Sequence, residues 1–293
     1  MAITAALVKE LRERSGAGMM ECKKALVETD GDIEAAIELM RKSGQAKADK
    51  KAGRVAAEGL IAIKATDDAK AVAIAEVNCE TDFVAKEAAF IEFVDNVAAR
   101  VLSDKPDSVE ALSAMAVTDG DSSIDETRSE LINKIGENMS VRRFERIDAV
   151  GTVSSYKHGV RIAVVVDIEN GDDELGKDIA MHIAASRPSC ISEQDVDQAL
   201  LQKERDIFVA QAAESGKPEN IIEKMVEGRI KKYLKEITLM GQPFVKDPDQ
   251  TVEQLLKSKG ATIHRFVRYE VGEGIEKKVE NFADEVAAQI GNG

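Results

Sequence analysis

The 293-residue chain has no tryptophan and only three tyrosines, so eight phenylalanines supply most of its aromatic surface. A phenylalanine outside a core pattern therefore asks for a reason. Its three cysteines, Cys22, Cys79 and Cys190, lie far apart and form no CxxC pair, which points to reduced thiols and away from a disulfide framework. The three histidines, His158, His182 and His264, have no partner at metal-ligand spacing, and no metal or cofactor is expected. No stretch approaches the roughly 18–20 uncharged apolar residues of a membrane span. Lys9, Glu10 and Arg12 interrupt the opening residues before an apolar run develops, and they lack the Arg-rich, acid-poor character of a transit peptide; a cytoplasmic protein is expected. Basic charge is also short. Forty Lys and Arg against 54 Asp and Glu leave a net charge of −14, which disfavours nucleic acid and anionic lipid as partners.

Catalytic signatures are equally scarce. There is no GxxxxGK[ST] phosphate loop and no GxSxG elbow, and Gly272-Glu273-Gly274 lacks the third glycine of a dinucleotide fingerprint. The carboxylates fall on faces that the pattern assigns to solvent, and no acid pair stands out. His182, between Ile179 and Ile183, reads as a core histidine, whereas His158 beside Gly159 reads as an exposed hairpin tip. An enzyme that makes or breaks covalent bonds is not expected.

What is present describes a globular protein, with 44% apolar and 32% charged residues. At roughly 100–200 residues per domain, two or more domains are expected, large enough to fold without disulfide or metal staples. Residues 1–55 read as three helices. Thr4 caps the first, with Leu7, Val8 and Leu11 on one face, and Gly16 stops it. Gly16-Ala17-Gly18 then delivers Met19 and Met20 to a second helix over Glu21–Glu28. These methionines either fill a small core or present an adaptable apolar knob to a partner. The third helix carries Ile33, Ala36, Ile37 and Met40 and is expected to end at Ser43-Gly44, followed by a polar linker or exposed helix to Arg54.

The hydrophobic period then changes. Leu60–Ile63 and Ala71–Ala75 read as a hairpin, Phe90, Val94, Val97 and Val101 as a buried helix face, Val109–Ala116 and Asp125–Ile135 as helices, and Val141–Ile147 as an alternating strand. The order repeats: Gly151–Tyr156 and Ile162–Val166 as a hairpin, Glu174–Ser186 as a helix, and Ile263–Tyr269 as the closing strand. A duplicated α+β unit is the predicted core. Its second copy holds an insertion, two long helices over Ser192–Glu214 and Pro218–Met240. Val196, Leu200 and Ile207 mark one apolar edge, and Ile221, Ile222, Met225, Ile230, Leu234 and Ile237 the other. A terminal amphipathic helix is expected over Lys277–Ile290.

One stretch concentrates the unexplained residues. Asn78-Cys79-Glu80-Thr81-Asp82-Phe83-Val84-Ala85-Lys86 joins an apolar strand, broken only by Glu76, to the helix bearing Phe90. Thr81 reads as that helix's cap and Asp82 as an acid favouring its positive N-terminus. Phe83, seven residues before Phe90, either extends the core stripe or serves a contact. The corresponding turn of the second copy, Glu169 to Leu175, has no Asp-Phe, so the fold unit does not demand one.

LVKELRERSGAGMMECKKAL (7–26), NCETDFVAK (78–86), GQPFV (241–245) and RYEVGEGIEK (268–277) occur in the order found in the bacterial elongation factor Ts family, which the sequence resembles over essentially its whole length. The resemblance implies an α+β fold in five parts: a three-helix ubiquitin-associated-like domain (1–55), a core N-subdomain (56–149), a core C-subdomain (150–190 and 241–271), an inserted antiparallel helical hairpin matching the family's dimerisation domain (191–240), and a C-terminal helical module (272–293). Both core subdomains would carry antiparallel sheets. It implies a guanine nucleotide exchange factor that binds elongation factor Tu, GDP-bound or nucleotide-free, and speeds GDP release. Position by position, Met19, Met20 and Lys23 would contact the partner's nucleotide-binding domain. Asp82 and Phe83, between Thr81 and Val84, would form a wedge entering near the partner's Mg²⁺ site. Ile135, Gly136 and His158 match further core contacts, and Val245 a contact to another partner domain. Self-association would use residues 191–240. The rival expectation is a passive adaptor that binds through residues 1–55 alone.

Overall fold

The computed structural model describes residues 3–118, 120–214 and 216–276. It is a mixed α+β protein in which antiparallel strand pairing occurs beside packed helices. The predicted terminal helix over Lys277–Ile290 lies outside the described residues. By its internal contacts the chain divides into two compact units. One comprises the chain up to Ala62, Ala75–Phe144 and the residues from Glu270; the other comprises Ile63–Ile74 and Glu145–Tyr269.

The first unit opens with α1 (Ala5–Ser15), α2 (Met19–Glu28) and α3 (Ile33–Lys51). Thr4 accepts the Leu7 N–H at 3.3 Å, and Gly16 ends α1 in the left-handed conformation. Val8, Leu11, Cys22, Ala25, Leu26 and Ala36 form the small core of this bundle. Met19 and Met20 are not in it: they are 60% and 76% exposed at the start of α2, so the core-filling reading of the pair fails. Nor does α3 stop at Ser43-Gly44. It runs on to Lys51, with Gly44 buried against α6 (Ile124–Ile135), where a Cβ would sit 2.4 Å from Asn133 Nδ2. Locally that glycine resembles a stop; in the fold it permits a close helix crossing.

Next come β1 (Glu58–Ala65) and β2 (Ala71–Cys79), then α4 (Ala88–Asp104), α5 (Val109–Ser113), α6 and β3 (Met139–Asp148), with sheet order β1-β2-β3. Phe90, Val94, Val97 and Val101 of α4 are fully buried, as their spacing predicts. The expected helix over Val109–Ala116 is shorter by a turn, because Met115 and Ala116 leave it to pair with the strand-like segment before α6.

In the second unit, β4 (Thr152–His158) and β5 (Ile162–Glu169) form an antiparallel hairpin, followed by α7 (Asp173–Ser186). The insertion is α8 (Gln198–Ala213) and α9 (Glu219–Ile237), then a small hairpin of β6 (Pro243–Phe244) and β7 (Asp247–Thr251), α10 (Val252–Lys259) and β8 (Thr262–Glu270). The sheet order β4-β5-β8 reproduces that of the first three strands. The copies also share a backbone crossing. A Cβ on Gly59 would lie 2.2 Å from the Val77 carbonyl oxygen, and one on Gly151 2.1 Å from that of Ile168. Each hairpin thus presses its first residues onto the far end of its partner strand, where only glycine fits.

The seam of the insertion differs from the predicted edge. Ala212, Val226 and Ile230 are its buried centre, with Leu201, Phe208, Ile222 and Leu234 around them, whereas Leu200, Ile207 and Ile221 are exposed. The predicted first edge is one residue out of phase. Val196 leaves that edge altogether, since a 3-10 turn at Glu193–Asp195 closes on Ser192, Val196 is extended, and α8 begins only after Asp197 caps it.

The expectation that the carboxylates face solvent is overturned by Glu76, which is fully buried in β2. Its Oε1 accepts from Arg142 (3.1 Å), Asn78 Nδ2 (3.1 Å) and the Gly272 N–H (2.8 Å), and its Oε2 accepts from Arg143 Nε (2.6 Å). Asp167, equally deep in β5, accepts the N–H groups of Val150 and Gly151 at 2.8 and 3.0 Å. Removing one partner of a buried ion pair strands the other. Glu76→Ala is expected to destabilise the protein by about 3–5 kcal/mol, read as a lowered urea midpoint at an unchanged slope.

His182 is fully buried, as the sequence suggests for a core histidine. Its Nε2 donates to Gln242 Oε1 at 2.9 Å and its Nδ1 accepts the Val245 N–H at 3.2 Å, so the ring is neutral in a fixed tautomer. Burial lowers its pKa below the ordinary 6.5, only partly opposed by Gln242. The unfolded chain therefore takes up the His182 proton before the folded one does. The full contribution is present above about pH 6.5 and is lost as pH falls towards the lower folded value. Between about pH 6.5 and 5, above the range where ordinary carboxylates titrate, stability should decline in the wild type and more shallowly in His182→Gln. Denaturant titrations across that window measure the difference.

Candidate functional site

The stretch after β2 does not enter a helix directly. Val84–Lys86 makes a single 3-10 turn, and α4 starts at Ala88 behind Glu87, which provides no side-chain cap. Thr81 thus caps the short turn instead of α4, accepting the Val84 N–H at 3.4 Å. Val84 and Ala85 are buried, anchoring the far side of the turn. Phe83 between these anchors is 77% exposed, so it does not extend the Phe90 stripe. Its backbone is ordinary right-handed helical, and its exposure involves no backbone strain.

Asp82 is exposed and bonded to Lys86 Nζ at 2.7 Å, and this hydrogen bond, more than the charge of the lysine, holds its carboxyl below the usual range. The same ammonium lies 5.8 Å from the centre of the Phe83 ring, within cation–π range. Cys79 at the base of the loop donates its thiol to the Thr81 carbonyl at 3.1 Å. Burial first, then the charges of Glu137 and Glu58, pushes its pKa up to about 12, so it is a packing residue and no nucleophile.

The loop is tied to the turn between α6 and β3. Glu137 Oε2 accepts the Thr81 N–H at 3.0 Å, and Glu137 Oε1 accepts the Thr81 hydroxyl at 2.8 Å. In the reverse direction, Glu80 Oε1 accepts the Asn138 N–H at 2.5 Å. The end of α3 joins the cluster: Lys51 Nζ donates to the Gly136 carbonyl at 2.8 Å, Asn138 Nδ2 to the Arg54 carbonyl at 2.8 Å, and Arg54 lies 3.5 Å from Glu80. Gly136 itself ends α6 at φ +94, a left-handed cap that aims its carbonyl at the lysine.

Two sets of residues selected from the sequence are therefore brought together, Thr81–Val84 and Ile135–Gly136. Met19, Met20 and Lys23 stand exposed on α2 within the same unit but on a different element. His158 and Val245 belong to the second unit. His158 is exposed at the end of β4, its Nδ1 3.1 Å from the Tyr156 hydroxyl, and Val245 is 44% exposed behind the His182 hydrogen bond. Sequence reasoning named Glu80 without a role and missed Glu137, Asn138 and Lys51. The local signal for Glu137 and Asn138 is a polar Gly-Glu-Asn after a helix end, and their partners lie far along the chain.

No cluster of three His, Cys, Asp or Glu side chains suited to a metal occurs among the described residues, and no described helix is long and apolar enough to cross a membrane. What the site presents is a fixed, solvent-facing aromatic beside a carboxylate.

The family model described as Elongation factor TS matches residues 80–273, a span that begins within this loop. Among curated relatives, the Elongation factor Ts of Thioalkalivibrio sulfidiphilus is 67% identical over 99% of both chains, and that of Methylococcus capsulatus 62% identical over 99% of both. The Elongation factor Ts of Legionella pneumophila is 54% identical over 98% of each. The chain belongs to the elongation factor Ts family.

Proposed function

We propose that this protein is a guanine nucleotide exchange factor that binds elongation factor Tu and promotes GDP release with Asp82 and Phe83 as its wedge. The observation that carries the reading is the 77% exposure of Phe83 on a turn fixed at both ends. An exposed phenylalanine forgoes roughly 1.5–3 kcal/mol of burial, and a partner's apolar slot recovers it. Asp82 beside it places a negative charge where the partner holds Mg²⁺ and phosphate, and so competes with those contacts. Exchange then needs no covalent step. A protein that prefers the nucleotide-free partner weakens GDP by its coupling free energy, and GDP weakens the protein by the same factor.

Each tenfold of that coupling requires about 1.4 kcal/mol, so one ring supplies one to two orders of magnitude at most and a wide interface must hold it in place. In this reading, residues 1–55 act as the ubiquitin-associated-like module and grip the nucleotide-binding domain through Met19, Met20 and Lys23. Residues 56–149 carry the wedge with Ile135 and Gly136. Residues 150–190 and 241–271 contribute His158 and Val245, residues 191–240 serve self-association, and residues 272–293 form the C-terminal module.

The test is release of labelled GDP from elongation factor Tu. The wild-type protein is expected to accelerate it. Phe83→Ala should lower the acceleration about 10–100-fold while leaving the melting temperature nearly unchanged, since the ring is outside the core. Asp82→Ala should also slow release. Release no faster with the wild-type protein than without it refutes the exchange reading. Full acceleration by Phe83→Ala would take Phe83 out of the wedge, whereas binding retained by residues 1–55 with no acceleration by the full chain would leave the protein a passive adaptor.

A further inference from the structure

We propose that Glu137 is the positioning residue for Phe83, acting through Thr81, and that it sets how well the ring is presented to the nucleotide-binding partner; this rests on the exchange reading above. Phe83 has almost no packing of its own, so its place in space is the place of its backbone. That backbone is held on one side by the burial of Val84 and Ala85 and on the other by Thr81. Both donors of Thr81, its N–H and its hydroxyl, go to Glu137, one to each carboxylate oxygen, while its carbonyl accepts from the Cys79 thiol. Because the hydroxyl proton points at Glu137 Oε1, its lone pairs face the Val84 N–H. The carboxylate therefore also orients the cap of the turn that carries the ring.

The second copy of the fold unit shows what the architecture needs without such a tie. There the chain leaves β5 and enters α7 directly, with Asp172 capping the helix by accepting the Leu175 N–H at 2.8 Å. A local cap is enough to close the unit. In the first copy the loop is longer, projects an aromatic, and is bound to another turn by two carboxylates in opposite directions, Glu137 onto Thr81 and Glu80 onto Asn138. The half-buried position of Glu137 makes these charge-assisted bonds stronger than exposed ones.

The experiment uses the full-length protein and its Glu137→Ala and Glu137→Gln variants, each also combined with Phe83→Ala. Glu137→Ala should accelerate GDP release about tenfold less well than wild type at limiting concentration, a loss bounded by the effect of removing the ring that Glu137 positions. Glu137→Gln, which keeps one acceptor oxygen, should fall between. In the Phe83→Ala background the Glu137→Ala change should have little further effect, because the group it positions is gone. Amide hydrogen exchange at residues 81–85 should quicken in Glu137→Ala, with or without the partner.

A purely structural role would lower the melting temperature and act equally in both backgrounds. An unchanged release rate, equal losses in both backgrounds, or unchanged hydrogen exchange at residues 81–85 would each overturn the proposal. Should the wild-type protein fail to accelerate release, the exchange reading falls, and hydrogen exchange still decides whether Glu137 holds the loop.

Discussion

A carboxylate inside a sheet must be neutralised where it stands, and Glu76 meets that need with the guanidinium groups of two neighbouring residues on the adjacent strand, Arg142 and Arg143. Desolvating an ion in a protein costs several kcal/mol before its partners offset it, so the geometry around Glu76 has little freedom. One oxygen also accepts the Gly272 N–H, which fixes the chain just after β8. The same interaction thereby sets β2 against β3 and the path of the chain beyond Glu270. Two residues further along β2, Asn78 binds the Glu58 carbonyl and Glu76 itself, and the functional loop departs from there. A projecting loop is only as well placed as its root, and this root is anchored by charge.

From that root the first unit builds its site by contacts between distant segments. The end of α3, the β2–α4 loop and the α6–β3 turn meet through Lys51, Arg54, Glu80, Thr81, Glu137 and Asn138. The bonds run mostly from side chain to backbone, so they constrain the course of the chain more than the side chains. In the second unit the buried His182 does similar work for Val245: an uncharged ring accepts its N–H while Gln242 holds the other ring nitrogen. Both units thus present apolar residues from backbones that are themselves hydrogen-bonded in place.

The elements were legible wherever a local rule decides. Thr4 and Gly16 bound α1, the spacing of Phe90, Val94, Val97 and Val101 marks a buried face, and the repeated order of strands and helices is visible as a repeat. Where a distant residue decides, local rules mislead. Gly44 reads as a helix stop until Asn133 is known to lie against it. Leu200 and Ile207 read as a buried edge until the cluster of Ala212, Val226 and Ile230 is seen to take Leu201 and Phe208 instead. Glu76 reads as a break in an apolar run because its arginines come 66 and 67 residues later. In the candidate site, Asp82 and Phe83 could be picked out because aromatics are scarce. Glu137 could not, since 56 residues separate it from Thr81.

The surroundings of Phe83 bear on how the protein survives with such a residue on display. A bare aromatic invites indiscriminate adhesion, and large contiguous apolar patches lead to aggregation. Here the ring follows Asp82 and precedes Lys86 and Glu87, all exposed, with the Lys86 ammonium close to its face. The exposed ring is therefore flanked by charges of both signs. Such charges act as gatekeepers, letting a crowded solution tolerate an ungreased hook that one shaped slot can still accept.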